Sequence, residues 1–102
     1  MFARTVRMQL KPNSVPEFTR IVEKELIPLL RKQRGFKDEL TFAPSNGKEA
    51  VAISLWEGKE SAEAYSREAY PQVLKALASV VEGTPQVQSS EVSNSTCHGI
   101  AA

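Results

Sequence analysis

The segment from Gly35 to Trp56 constrains the fold of this chain more than any other. Apolar and polar residues alternate from residue 36 to 43, the run from 50 to 56 is apolar on both sides of a strand except for Ser54, and Asn46-Gly47 stands between the two runs. Alternation with a period of two is typical of strands, and Asn-Gly is the strongest short-range signal for a type I′ turn. We therefore predict an antiparallel hairpin that ends at Trp56.

The residues before the hairpin predict a strand and a long helix. Residues 2 to 10 alternate in the same way, and Ser14 followed by Glu17 has the spacing of a capping box. Apolar residues then recur at three- and four-residue steps until Gly35, which can adopt the positive φ of a helix C-cap. Pro28 lies inside this helix and removes one backbone hydrogen bond, so we predict a bend between Lys24 and Pro28.

The residues after Trp56 predict two short helices and a last strand. The helical pattern runs from Gly58 to Glu68 and resumes at Pro71, so we expect a hinge at Tyr70-Pro71 and a helix end at Gly83. Residues 84 to 96 are polar but rich in Val, Ser and Thr, which predicts a last strand that lies at an edge of the sheet or meets another chain. A bulge near Ser89-Ser90 would bring Val87 and Val92 to one face.

The order β-α-β-β-α-β predicts an α+β, ferredoxin-like fold with a four-stranded antiparallel sheet and helices on one face. We assign one domain to residues 1–96 and a flexible tail to residues 97–102. Strict alternation predicts which side chains face the helices: Phe2, Arg4, Val6, Met8, Leu40, Phe42, Ala50, Ala52, Ser54 and Trp56. The open face then carries Thr5, Arg7, Gln9, Glu39, Thr41, Val51, Ile53 and Leu55. Because this face is too apolar for water, we predict a homodimer formed through it.

Charge and cysteine content exclude several classes of partner. The 102 residues carry 13 basic and 12 acidic side chains, a net charge of +1 without a block of like charge, so we expect neither nucleic acid nor membrane as a partner. The single Cys97 can form no internal disulfide and no structural zinc site, and we expect a cytoplasmic protein. Cys97 and His98 are neighbours near the chain end, where a catalytic pair is not expected.

Two segments resemble the antibiotic biosynthesis monooxygenase family of the dimeric α/β-barrel superfamily. They are Pro28-Leu29-Leu30-Arg31 followed by Arg34-Gly35-Phe36, and the run Trp56-Glu57-Gly58-Lys59-Glu60-Ser61-Ala62-Glu63-Ala64-Tyr65. The resemblance covers residues 2 to 95. It implies a dimeric α/β barrel and a pocket between helices and sheet. It also implies oxidation of an aromatic or quinol-type small molecule without metal, flavin or other cofactor.

The heme-degrading members of that family have an Asn on the first strand, a Trp at the end of the third and a His on the next helix. Trp56 matches the second of these. Residues 2–10 contain no Asn and residues 58–68 contain no His. The resemblance therefore does not extend to heme degradation.

Five residues are predicted to contact the substrate: Arg4, Phe42, Ser54, Trp56 and Tyr65. Arg4 and Ser54 would supply a positive charge and a hydrogen-bond donor beside a phenolate, in a slot that excludes water. Each also has a plainer interpretation. Trp56 and Tyr65, like Tyr70, can be ordinary core residues, and Arg4 can extend to water or pair with a helix glutamate. No catalytic residue is assigned, and Glu60, Glu63 and Glu68 are interpreted as solvated surface.

Three functions stay open at this stage. The first is the cofactor-independent monooxygenase that the resemblance implies. The second is a non-catalytic dimer that binds a small molecule or acts in a stress response. The third is a purely structural dimer in which Trp56 and Tyr65 fill the cavity, and the volume of the cavity separates it from the other two.

Overall fold

The computed structural model describes residues 1–96. Its strands are β1 (Phe2–Leu10), β2 (Phe36–Phe42), β3 (Glu49–Trp56) and β4 (Val81–Glu91). Its helices are α1 (Val15–Ile21), a π-helical segment (Val22–Leu26), α2 (Ile27–Arg31), α3 (Lys59–Glu68) and α4 (Tyr70–Leu77). The predictions for Cys97, His98 and the tail lie outside the described residues, and the assignment of one domain to residues 1–96 stays a prediction.

The four strands form one antiparallel sheet in the order β2-β3-β1-β4. β1 and β3 occupy the centre, and β4 lies at an edge, as its polar sequence predicts. This topology confirms the α+β, ferredoxin-like fold. The core lies between the helices and one face of the sheet, where Phe18 and Trp56 are the largest fully buried side chains of the described chain. No helix within residues 1–96 has the length and apolar character needed to cross a membrane.

The first helix is irregular where Pro28 predicts it to be. α1 and α2 are joined by the π-helical segment, and the Ile27 N–H donates to the Val22 carbonyl across the wide turn. Pro28 is the second residue of α2, in the first turn, where its missing N–H is tolerated. The predicted capping box is wrong, because no side chain caps α1 and the Ser14 hydroxyl instead donates to the Pro12 carbonyl at 3.4 Å.

The turn between β2 and β3 differs from the prediction. The hairpin is antiparallel, but of Asn46 and Gly47 only Gly47 has a positive φ, so the turn is not type I′. The Gly47 N–H donates to the Pro44 carbonyl at 3.1 Å, and the Asn46 side chain accepts from the Lys48 N–H at 2.9 Å. Asn46 therefore satisfies the loop backbone through its side chain and avoids the left-handed region.

The predicted faces of β2 are wrong beyond its second residue. Phe36 pairs with Trp56, but Asp38 pairs with Leu55, so a bulge at Lys37 inserts one residue into the strand. One extra residue moves every later side chain to the opposite face. Glu39 and Thr41 therefore face the helices. Leu40 and Phe42 lie on the open face, where they are 54% and 53% exposed.

The two predicted helices, α3 and α4, meet at Ala69, one residue before the predicted hinge at Tyr70-Pro71, and these two residues begin α4. The end of the second helix is predicted wrongly. α4 stops at Leu77, and Gly83, with φ +67°, lies inside β4. The register of β4 against β1 shifts between Glu82 and Gln86, so the bulge is there and not at Ser89-Ser90.

Candidate functional site

The covered face of the sheet and the helices enclose a cavity. Its lining is mostly apolar, with a polar corner on the strands. The lining residues are Arg4, Val6, Met8, Phe18, Val22, Leu26, Leu30, Glu39, Thr41, Ala52, Ser54, Tyr65, Tyr70, Val73 and Leu77. The free space between them, with the open mouth included, is about 530 Å³, and about 50 Å³ of it is accessible to the centre of a water molecule.

Two features of the fold create this cavity, namely small side chains on a central strand and an irregular helix above them. Ala52 and Ser54 are small residues on a central strand, so the sheet leaves volume beneath the helices. The first helix crosses above them through its π-helical segment, and Val22 and Leu26 at the two ends of that segment line the cavity. π-helical turns are rare and occur often at functional sites.

Arg4 is buried in this cavity, with 3% of its surface exposed. Its guanidinium carbon lies 4.0 Å from the centroid of the Tyr70 ring and 5.3 Å from that of Tyr65. None of the ion pairs within residues 1–96 includes Arg4. The interpretation in which Arg4 extends to water or pairs with a helix glutamate is therefore wrong. Within residues 1–96 its charge lies against the two aromatic faces, a kind of contact that contributes about 2 kcal/mol or more when it is desolvated.

Trp56 is fully buried and belongs to the wall behind the cavity. Its indole N–H donates to the Ser54 hydroxyl at 2.9 Å, and Ser54 lies close to the Arg4 carbonyl, at 3.5 Å. Its ring packs edge to face on Phe36, with centroids 5.5 Å apart, and lies 4.9 Å from the Tyr65 ring. Trp56 does not line the cavity itself, but it fixes the positions of Ser54 and Tyr65, which do.

Tyr65 on α3 and Tyr70 on α4 form the wall opposite the strands, with ring centroids 6.2 Å apart. Burial raises the pKa of Tyr65 to about 12, which the Arg4 charge partly opposes and the nearby Tyr70 and Glu39 reinforce. The hydroxyl of Tyr65 therefore stays protonated at neutral pH and can act as a hydrogen-bond donor.

Glu39 and Thr41 are site residues that the sequence analysis placed on the wrong face. The Thr41 hydroxyl donates to Glu39 Oε2 at 2.5 Å. Burial raises the pKa of the Glu39 carboxyl, and the hydrogen bond from Thr41 partly opposes this shift. The signal that could have revealed the bulge is Asp38, because strict alternation would put this carboxylate on the same face as Phe36, Leu40 and Phe42.

The structure thus brings together Arg4, Ser54 and Tyr65 among the predicted site residues, with Trp56 directly behind them. Phe42 lies on the other side of the sheet and has no access to the cavity. Across residues 1–96, no group of three or more His, Cys, Asp or Glu side chains is placed to hold a metal ion.

Comparisons with solved structures find the same fold in proteins of low sequence identity. A protein of unknown function from Nitrosomonas europaea, NE2512, superposes with a TM-score of 0.78 at 15% identity, over 94% of this chain and 92% of the other. A monooxygenase from the gene ActVA-Orf6 of Streptomyces coelicolor, in complex with nanaomycin D, gives a TM-score of 0.78 at 16% identity, over 94% and 90%.

SnoaB, a cofactor-independent oxygenase from Streptomyces nogalater, gives a TM-score of 0.74 at 13% identity, over 93% of this chain and 95% of SnoaB. No family model matches the sequence, and no curated protein matches it. At these identities the similarity establishes the fold, and the chemistry of the cavity has to be argued from its own residues. Two further structures with a TM-score of 0.75, from Bordetella bronchiseptica and Deinococcus radiodurans, are described as antibiotic biosynthesis monooxygenases, and the chain therefore has the fold of that group.

Proposed function

We propose that this protein binds a small aromatic molecule with an acidic hydroxyl, of the phenol or quinol type, in the cavity and oxidises it with dioxygen without a cofactor. The observation that carries the proposal is Arg4, a buried guanidinium without a carboxylate partner inside the described chain. A buried charge without a counter-ion is costly to the fold. An anionic ligand oxygen would supply that counter-ion.

The lining of the cavity suits the rest of such a ligand. Tyr70 and Tyr65 offer ring faces for stacking, and the first helix contributes only apolar side chains, Phe18, Val22, Leu26 and Leu30. An apolar, water-poor site strengthens the attraction between Arg4 and an aryl oxide, so the anion of the substrate is favoured.

The anion is the species that reacts with dioxygen. Loss of the hydroxyl proton leaves an aryl oxide, which gives one electron to dioxygen and becomes an aryloxyl radical beside superoxide. The two radicals join in a carbon–oxygen bond at a ring carbon that carries hydrogen, and the peroxide takes up the proton. Loss of water from the hydroperoxide leaves a carbonyl, so one oxygen atom enters the product and the other leaves as water.

The size of the cavity limits the ligand in the present state. A water molecule needs roughly 10 to 15 Å³ of accessible space, so the cavity admits a few waters as it stands. A ring must displace side chains outward, and the break between α3 and α4 beside Tyr70 is one place where this can occur. This observation favours a single-ring or two-ring substrate over a larger polycyclic one.

Oxygen uptake tests the proposal. Purified protein is mixed with reduced anthrones, naphthols and hydroquinones under air, and dioxygen consumption is followed against buffer and heat-denatured protein. We expect acceleration that Arg4→Met abolishes and Arg7→Met retains, because Arg7 lies on the open face. No acceleration with any compound would contradict the oxygenase.

Non-catalytic binding is the second candidate. It is favoured by the fully buried position of Trp56, which leaves the predicted aromatic wall of an oxygenase site out of reach of a ligand. Calorimetry with the same compounds separates the two functions. Saturable binding without oxygen uptake supports the binding protein, whereas absence of binding excludes both.

A homodimer through the open face is part of the proposal. Leu40 and Phe42 are more than half exposed there, next to Val51, Ile53 and Leu55, and a continuous apolar surface of this kind marks a protein interface. We expect sedimentation equilibrium to give twice the chain mass, and Phe42→Asp to give the chain mass. A wild-type monomer at micromolar concentration would contradict the dimer.

A further inference from the structure

The bulge in β2 places two opposite charges in one row of the covered face. Glu39 pairs with Ser54 across β2 and β3, and Ser54 pairs with Arg4 across β3 and β1. With neighbouring strands about 4.8 Å apart, the α-carbons of Glu39 and Arg4 are about 10 Å apart. The two side chains line the same cavity and do not form an ion pair.

The carboxylate of Glu39 has one oxygen engaged and one without a protein partner. Oε2 accepts from Thr41, and Oε1 has no hydrogen bond within residues 1–96. The titratable groups that face the carboxyl across the cavity are Arg4 on β1, Tyr65 on α3 and Tyr70 on α4. The first helix, which covers the cavity, contributes no titratable side chain to the lining.

We propose that Glu39 is the proton acceptor of this site and takes the proton of the ligand hydroxyl while Arg4 holds the resulting oxygen anion. The ligand O–H bond breaks, its electron pair stays on the ligand oxygen, and the proton bonds to Glu39 Oε1. The net charge of the cavity does not change, because the negative charge moves from Glu39 to the ligand. This inference rests on the proposed function and restricts the ligand to a ring with an acidic hydroxyl.

The surroundings of Glu39 suit this role. Its burial raises the carboxyl pKa, so the carboxylate is a stronger base than one in water. Protonation also removes a charge from an apolar cavity, and the negative charge that forms instead lies beside Arg4. Both effects favour the transfer once the ligand has displaced water from the cavity.

The experiment measures where the proton goes when a coloured phenol binds. 4-Nitrophenol is used as the probe, since its anion is yellow and the neutral form is not. Calorimetric titrations at a pH below the pKa of the free probe, repeated in buffers of different ionisation enthalpy, give the number of protons released to solvent per ligand bound. We expect the wild type to bind the yellow anion with almost no proton release, because Glu39 keeps the proton.

In Glu39→Gln the anion should bind with release of about one proton per ligand, or the probe should bind in its colourless form. Asp38→Asn is the matched control, since this neighbouring carboxylate is exposed on the opposite face, and it should behave as the wild type. Thr41→Val provides a second variant, because loss of its hydrogen bond raises the pKa of Glu39 further. Proton release should then begin at higher pH than in the wild type.

The outcomes separate the two proposals. If wild type and Glu39→Gln bind the yellow anion with the same proton count, Glu39 is not the acceptor and the proposed function stands. If the wild type binds neither 4-nitrophenol nor 1-naphthol, the proposed function fails, and this inference fails with it.

Discussion

Each face of the sheet carries two side chains that are unusual for their surroundings. The covered face holds the charged Arg4 and Glu39 beneath the helices, whereas the open face exposes Leu40 and Phe42. In a protein that used its sheet only for stability, the apolar residues would be under the helices and the charges would be in water. These four side chains are therefore exceptions, since the rest of the covered face, with Phe2, Val6, Met8 and Trp56, forms the core.

The difference indicates a separate task for each face. Charges inside an apolar cavity reduce stability and favour a ligand that can neutralise them. An exposed apolar surface reduces solubility and favours association. Variants that remove one side chain from each face in turn test whether the two faces differ in this way.

The largest difference should come from aromatic rings on the two faces. Trp56→Ala should lower the free energy of unfolding by about 3 to 5 kcal/mol, because the ring is fully buried and its removal leaves a hole in the core. Phe42→Ala should lower it by less, since the ring is 53% exposed in the single chain. Urea melts at several protein concentrations measure both. Equal losses at low concentration would mean that the open face is as well packed as the covered one.

Tyr65 should give the next largest effect, and only at alkaline pH. Its pKa rises from the ordinary 10.0 to about 12 on folding, so the protonated ring favours the folded state. That contribution is complete below pH 10 and is lost as the pH rises to 12, a change of about 2 to 3 kcal/mol. Tyr65→Phe should remove this loss in melts across that range. A variant that loses as much stability as the wild type would show that the Tyr65 hydroxyl is solvated.

Trp56 and Tyr65 also show which parts of the fold and of the site the sequence could predict. The positions of Trp56 and Tyr65 follow from alternation on β3 and helical spacing on α3, because both patterns continue without a break. The topology follows in the same way from the order of the elements.

The position of Phe42 could not be obtained in this way. It depends on one extra residue at Lys37, and the bulge depends on pairing with β3, which is a tertiary contact that alternation does not encode. The same shift places Glu39 and Thr41 on the covered face, where alternation does not predict them. The π-helical segment is another feature of this kind, since Pro28 predicts an irregularity but not the form that it takes.

Two arginines on β1 test whether the covered face is built for a ligand. Arg4→Met should raise the free energy of unfolding by about 2 kcal/mol, because an apolar side chain replaces a buried charge that has no carboxylate partner. Arg7→Met should change it by less than about 0.5 kcal/mol, because Arg7 is exposed and its pair with Glu49 is 3.6 Å long. Thermal melts of the two variants and the wild type measure both changes in stability. A destabilised Arg4→Met would mean that the guanidinium supports the fold through Tyr65 and Tyr70.

The smallest change in stability is expected at Ser54, which lines the cavity and accepts a hydrogen bond from Trp56 behind it. Ser54→Ala removes the acceptor of the Trp56 N–H and should lower the free energy of unfolding by about 1 kcal/mol, the usual cost of leaving a buried donor unpaired. Ser90→Ala, at an exposed position of β4, should stay within about 0.5 kcal/mol of the wild type. Because Ser54 also holds Trp56 against Tyr65, the variant should weaken 4-nitrophenol binding in the same calorimetric titration. A loss of stability with unchanged binding would limit Ser54 to the core, and the polar corner of the cavity would then consist of Arg4, Glu39 and Thr41.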